Sequence, residues 1–277
     1  MNQYNWVKIS LIGLFISFFA LPLLKAQKNY YAIADSLYKA HLLEATLQYL
    51  DSALLQPENN NLIEKIRVKK GLIYYEFSNY SAAITEYEEA LRQNNKNAET
   101  YYYRGLCFFY LQKYTEAKQD FDQAIILQPQ YAEALTARGY LFDLQQEPQK
   151  ALQDYSEAIK QNPQYALAYY NRALSWYDQN KIEATFEDLE TCLQIAPKMV
   201  EARITLGYLY TQDKKHTEAL EQFNQAINIA PHQSEAYFQR ALLYQKMKQK
   251  EKACQDFQKA IDLGHIEAES YQQKYCK

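Results

Sequence analysis

Glycine and proline are scarce in this chain, with six and seven residues in 277. That scarcity excludes the all-β folds, whose frequent turns consume both. Histidine is rarer still. His41, His216, His232 and His265 are scattered, and none has a second His or Cys at metal-ligand spacing, so no metal, cofactor or His-based catalytic site is expected. The glycines form no phosphate-cradling loop, and acidic runs such as Glu86, Glu88 and Glu89 read as a solvated helix face rather than as paired acid-base carboxylates. Positive charge is not in excess either, with 30 Lys and Arg against 33 Asp and Glu. A nucleic-acid partner, whose phosphates demand a basic face, is therefore not expected.

A long apolar run occurs once, from Ile9 to Leu24, and Pro22 breaks it. Sixteen residues fall short of the roughly twenty that span a bilayer. With Lys8 before the run and Lys25-Ala26-Gln27 after it, residues 1–26 read as a secretory signal peptide, cleaved after Ala26. An uncleaved membrane anchor is the alternative, and no cysteine follows the run to carry a lipid. Cleavage would leave an exported chain, periplasmic or extracellular, without a membrane span and with a formal charge of −5 from 28 basic and 33 acidic residues.

What the chain has in abundance is Ala, Leu, Gln, Lys and Glu, the residues helices prefer, and 48% hydrophobic content to build a core. The expected class is all-α. It also has tyrosine, 27 residues of it, concentrated in stretches such as YYYRGLCFFYLQKY at 101–114.

That stretch belongs to a series. Pro129, Pro163, Pro197 and Pro231 stand 34 residues apart, and ten residues after each comes Gly139, Ala173, Gly207 or Ala241, with Gly71 and Gly105 extending the series backwards. Twelve residues on from the small residues lie Ala83, Ala117, Ala151, Thr185, Ala219 and Ala253. Sixteen on lie Tyr87, Phe121, Tyr155, Leu189, Phe223 and Phe257, and nineteen on Ala90, Ala124, Ala158, Cys192, Ala226 and Ala260.

This pattern resembles the tetratricopeptide repeat family, a 34-residue helix-turn-helix unit with small residues near positions 8, 20 and 27 and proline near 32. It covers six units, 64–97, 98–131, 132–165, 166–199, 200–233 and 234–267. Residues 27–63 look like a degraded first unit, 27–59, with Ala45, Tyr49 and Pro57 in phase, followed by four extra residues, 60–63. Residues 268–277 look like a C-terminal capping helix. The resemblance implies a right-handed superhelix of antiparallel helix pairs. The strand reading of YYYRGLCFFY gives way to a first repeat helix with Tyr101 and Phe108 in the core.

Repeat 166–199 departs from the pattern at Thr185, Leu189 and Cys192, which implies either drift compensated by Trp176 or a local bend. Comparing repeats also exposes a charge pattern. Position 7 holds Lys70, Arg104, Arg138, Arg172, Leu206 and Arg240, and position 23 holds Glu86, Asp120, Asp154, Asp188, Gln222 and Asp256. The repeat without the base also lacks the acid, so an ion pair within each repeat is expected. Among the cysteines, Cys107 and Cys192 lie too many repeats apart to pair. Cys254 and Cys276 fall at the same end of the last helix and the cap, and the chain's close looks like that of exported bacterial repeat proteins, which implies a disulfide; two free thiols are the alternative.

For function the resemblance implies a non-catalytic scaffold or adaptor that takes a protein or peptide partner on a concave surface. The family's basic clamp for a C-terminal carboxylate is excluded, because positions 5 and 9 hold Val68, Tyr102, Thr136, Tyr170, Ile204 and Phe238, then Leu72, Leu106, Tyr140, Leu174, Tyr208 and Leu242. The expected groove instead joins Tyr102, Leu106, Phe109, Tyr140, Tyr170, Leu174, Tyr177, Tyr208 and Phe238 in one band, edged by Glu99, Glu133, Glu201 and Glu235. Such a band suits an extended or helical segment with apolar anchors and some basic residues. An envelope glycan on the aromatic floor, or a structural spacer role, are the alternatives, as is burial of the band between repeats.

Overall fold

Helices begin and end here at points that local chemistry marks. The side chains of Asn79 and Asn97 accept hydrogen bonds from the Ala82 and Thr100 N–H groups, capping the helices that follow, and Pro148 opens another at a position that needs no N–H donor. The computed structural model describes residues 29–276, and the expected signal peptide at 1–26 lies outside them. All regular structure among the described residues is helical.

The chain divides into two compact units, Met1–Lys113 and Tyr114–Lys277. The first contains α1 (Tyr30–Lys39), α2 (Leu43–Leu54), a 3-10 turn (Pro57–Leu62), α3 (Ile63–Glu76), α4 (Tyr80–Gln93) and α5 (Ala98–Tyr110). In it α1 packs on α2, α2 on α3, α3 on α4 and α4 on α5. The second contains α6 (Tyr114–Leu127), α7 (Ala132–Leu144), α8 (Pro148–Gln161), α9 (Ala166–Asp178), α10 (Ile182–Ile195), α11 (Val200–Gln212), α12 (His216–Ile229), α13 (Ser234–Lys246), α14 (Lys250–Asp262) and α15 (Ala268–Tyr275). Here α7 and α8, α9 and α10, α11 and α12, and α13 and α14 form the tightest pairs, and each pair packs on the next. Three residues join the helices of each of these pairs, which leaves them no course but antiparallel.

Those three-residue turns share one conformation. Ser78, Gln146, Asn180, Lys214 and Lys248 have φ between 56° and 61°, in the left-handed region that glycine usually takes. The next N–H then reaches back to a helix carbonyl, as from Glu147 to Phe142 at 2.9 Å and from Lys181 to Trp176 at 2.9 Å. This closes the helix ends in Schellman fashion.

The repeat-register residues make the core. In the second unit Ala151, Tyr155, Ala158, Ala219, Phe223, Ala226, Phe257 and Ala260 are buried, as are Ala83, Tyr87 and Ala90 in the first. A buried aromatic ring of the second helix lies directly over the glycine of the first, so the close approach is ring on backbone rather than alanine on backbone. Repeat 166–199 keeps its pair despite the altered residues. Thr185, Leu189 and Cys192 are all fully buried, Thr185 satisfies its hydroxyl on the Lys181 carbonyl, and Cys192 Sγ lies 3.3 Å from Met199 Sδ.

In α2 the fully buried residues are Thr46, Leu50 and Ala53, spaced like Ala83, Tyr87 and Ala90, and not the expected Ala45 and Tyr49. The left-handed turn residue His41 precedes Ser78 by the same 37 residues, so the insertion before the regular series is three residues, not four. Ala45 and Tyr49 show the alanine-aromatic spacing one residue before the buried Thr46 and Leu50, which is why that spacing misplaced the register.

Candidate functional site

A frame of charge fixes the first helix in four of the repeats. Arg138 makes a two-pronged pair with Asp154, with both bonds at 2.7 Å, and Arg172 does the same with Asp188 at 2.8 and 2.7 Å and Arg240 with Asp256 at 2.7 and 2.8 Å. The remaining guanidinium nitrogen reaches the preceding helix, at Asp122, Ser156 and Asn224 respectively. One arginine thus ties three helices. The adjacent Asp154 carboxylate holds the Arg138 guanidinium above its usual value. In the first unit Lys70 sits 2.6 Å from Glu86 and 2.7 Å from Asp51. Glu86 is 7% exposed and also takes Arg67, so it is not part of a solvated face. Where the pair is lost, Gln222 accepts instead from Arg203.

With the helices fixed, position along the helix decides which expected groove residues stay open. In the first unit Tyr102, Leu106 and Phe109 on α5 are half-buried, and Glu99 is exposed. In the second unit Tyr140 is 43% exposed, and Tyr170, Leu174, Tyr177 and Tyr208 are half-buried. The Tyr177 and Tyr208 hydroxyls are 3.3 Å apart, with their rings edge to face at 6.2 Å. Burial raises the pKa of the Tyr170 hydroxyl, which is hydrogen-bonded to Thr205. Of the acidic border, Glu201 is exposed and Glu133 half-buried.

Phe238 does not belong to an open groove. It is 4% exposed, with the His265 ring stacked on it at 4.1 Å and Tyr271 of α15 edge-on at 5.3 Å. Its border partner Glu235 accepts from His265 Nε2 at 2.9 Å. Position 5 is buried at Thr136 and Ile204 too, because that side of the first helix faces the next element of the stack. Tyr170 at position 5 stays half-buried, and with Tyr140, Leu174, Tyr177 and Tyr208 at positions 9 and 12 it carries the open surface, while Thr211 at position 12 is buried. The covering tail is tied down by the Cys254–Cys276 disulfide, with Cα atoms 5.7 Å apart, while Cys107 and Cys192 are buried and take no part in a disulfide.

Two features have no counterpart in the sequence reading. An open cleft of about 790 Å3 lies between the turns after α9 and α11, lined by Tyr177, Asp178, Ile182, Phe186, Leu209 and Lys215 among others. Asp143, at position 12 of its repeat, is half-buried and accepts from the Tyr155 hydroxyl at 2.9 Å and the Ser175 hydroxyl at 3.0 Å. The available signal was its charge, at a position that holds Phe109, Tyr177, Thr211 and Gln245 elsewhere. Among the described residues no group of His, Cys, Asp and Glu could hold a metal ion, and no helix is long and apolar enough to cross a membrane.

Stacked antiparallel helix pairs with a 34-residue register define a helical-repeat protein. Tetratricopeptide repeat profiles match residues 98–131 and 132–165, 71–109 and 207–248, and 234–263. Together these take in more than half of the chain, which belongs to the tetratricopeptide repeat family. A tetratricopeptide repeat protein from Parabacteroides merdae is similar in structure, with a TM-score of 0.70 at 19% identity over 90% of this chain and 98% of that one. PilF of Pseudomonas aeruginosa gives 0.68 at 16% identity, over 77% of this chain and 98% of that one. YrrB, described as a TPR protein with an unusual peptide-binding site, gives 0.52 at 19% identity, over 68% and 97%. At such identities these likenesses concern the fold alone. No curated protein matches the sequence significantly.

Proposed function

We propose that the protein is a non-catalytic adaptor that binds an extended or helical protein segment on the inner face of its first repeat helices. The observation that carries this reading is the row of partly open side chains at positions 9 and 12 of the second unit, namely Tyr140, Leu174 and Tyr177 on helices that arginine pairs immobilise, and Tyr208 on the next first helix. Tyrosine offers large contact area at low entropic cost, and a rigid scaffold lowers the cost of binding further. The family's general role in protein–protein contacts, and the peptide-binding site named for YrrB, are consistent with it. The adaptor works outside the cytoplasm, in the cell envelope or beyond. The Cys254–Cys276 bridge supports that location, since disulfides persist in oxidising compartments.

The test is a photo-crosslinking residue placed at Tyr140 in the native envelope, followed by mass spectrometry, with the same crosslinker in a Tyr177→Ala, Tyr208→Ala double variant as control. One stoichiometric protein partner, lost in a double variant that remains folded by circular dichroism, is the expected result. Capture unchanged in the folded variant, or binding of purified glycans with no protein partner, would rule the groove reading out.

A further inference from the structure

Asp143 is an expensive residue to keep where it is. Each of its carboxylate oxygens accepts one hydrogen bond, Oδ2 from Tyr155 and Oδ1 from Ser175. Tyr155 and Ser175 are themselves buried, so both donors are fixed in place, yet neither brings positive charge. The contrast within the same unit is plain: Asp154, Asp188 and Asp256 each meet an arginine. None of the ion pairs among the described residues includes Asp143. The groups that face it are Tyr155 from α8 and Ser175 and Asp178 from α9, and the one charge among them has its own sign. Burial accordingly pushes the Asp143 carboxyl above the usual carboxylate range, the two hydroxyls pull it back, and Asp178 adds to the rise.

A carboxylate offers about four acceptor sites, and the fold uses two. Asp143 shares the inner face with Tyr140, one helical turn earlier on α7, and with Tyr177, its equivalent in the next repeat. Asp143 also stands in the last turn of α7, whose C-terminal carbonyls add negative potential. A cation arriving there would meet a preorganised, half-buried acceptor beside aromatic side chains, where charge pairing and cation–π contact are stronger than in bulk water.

We propose that Asp143 is the anchor for a basic side chain, a lysine or arginine of the bound protein segment, on the inner face of residues 114–277. This rests on the adaptor reading above and specifies the chemistry of its partner. A purely structural staple joining α7 to α9 would serve as well with asparagine, which keeps the same shape and can bond both hydroxyls, and that difference makes the assignment testable.

The experiment is selection of a random-peptide library on the full chain, followed by synthesis of the strongest binders and calorimetry against wild type and Asp143→Asn. The expected result is a Lys or Arg at a fixed spacing from apolar residues, with affinity lost by about tenfold or more in Asp143→Asn. Replacing that basic residue by citrulline or norleucine should cost wild type a similar factor, and this arm needs no variant to fold. Peptides that bind both proteins equally, or that show no basic preference, overturn the anchor while leaving the groove standing. A wild type that selects no peptide overturns both.

Discussion

Gly139 and Gly207 stand where a methyl group has no room. A Cβ at Gly139 would lie 2.7 Å from Cε1 of Tyr155, and one at Gly207 2.6 Å from Cε1 of Phe223, and both rings are fully buried. The rings cannot swing aside, so the helices must part. Gly207→Ala should therefore destabilise by about 1–2 kcal/mol in urea melts, overpacking outweighing a helix-propensity gain of up to about 1 kcal/mol. A variant more stable than wild type would show that the pair tolerates wider spacing, as the pair Ala241 and Phe257 does. Asp143 makes the opposite case. Its carboxyl titrates above the ordinary range when folded, so the fold is penalised once pH exceeds that value and the penalty disappears as pH falls below the ordinary carboxylate range. Asp143→Asn should match or exceed wild type in Tm at neutral pH, and the difference should shrink towards zero on acidification. A deficit at neutral pH that vanishes on acidification would instead mean that the charged carboxylate stabilises the fold. Such residues were hard to see beforehand. The glycine series is visible because packing repeats every 34 residues, whereas Asp143 breaks the series and its two donors come from other helices.

At the scale of the element, the turn between paired helices carries strain that the sequence never relieves with glycine. Gln146 and Lys214 have φ of 60° and 61°, a region that costs an ordinary L-residue about 1 kcal/mol. Gln146→Gly or Lys214→Gly should raise stability by about 0.5–1 kcal/mol, read as a higher urea midpoint with unchanged slope. A lower midpoint would mean that the side chain contributes more than the backbone loses. The helix pairs themselves were readable, because alanine spacing and proline placement recur in phase. The first pair was not, because only burial distinguishes Thr46 and Leu50 from Ala45 and Tyr49. The tail is a second element whose behaviour follows from its size. At eight residues α15 is too short to be stable alone, and it depends on Ala268, Tyr271 and the disulfide. Closing a loop with a sequence separation of 22 contributes about 3 kcal/mol. Cys276→Ser should speed amide exchange in α15 and uncover Phe238, leaving α7 to α9 unchanged. Unaltered exchange in α15 would show that packing alone holds it.

At the scale of the molecule, the groove was expected as one band from Tyr102 to Phe238, and its reach is what the side chains revise. Position 5 is buried at Thr136, Ile204 and Phe238, so the open surface in the second unit narrows to Tyr170 at that position and to Tyr140, Leu174, Tyr177 and Tyr208 at positions 9 and 12. The sequence shows which residues share a helix face; it does not show which edge of that face the next element covers. Stacking also limits how far a perturbation travels. In a repeat stack each element touches its neighbours only, so stability is a chain of local interfaces rather than one shared core. The pair α11–α12 packs on α10 and α13, and α7–α8 lies beyond that contact. Gly207→Ala should accordingly loosen α11, α12 and the near faces of α10 and α13 in hydrogen exchange, while protection in α7 and α8 stays at its wild-type level. Uniform loss of protection from α7 to α14 would instead show a single cooperative unit. In that event the tyrosines of the inner face would open and close together, and a segment bound at Tyr140 would stabilise Tyr208 without touching it.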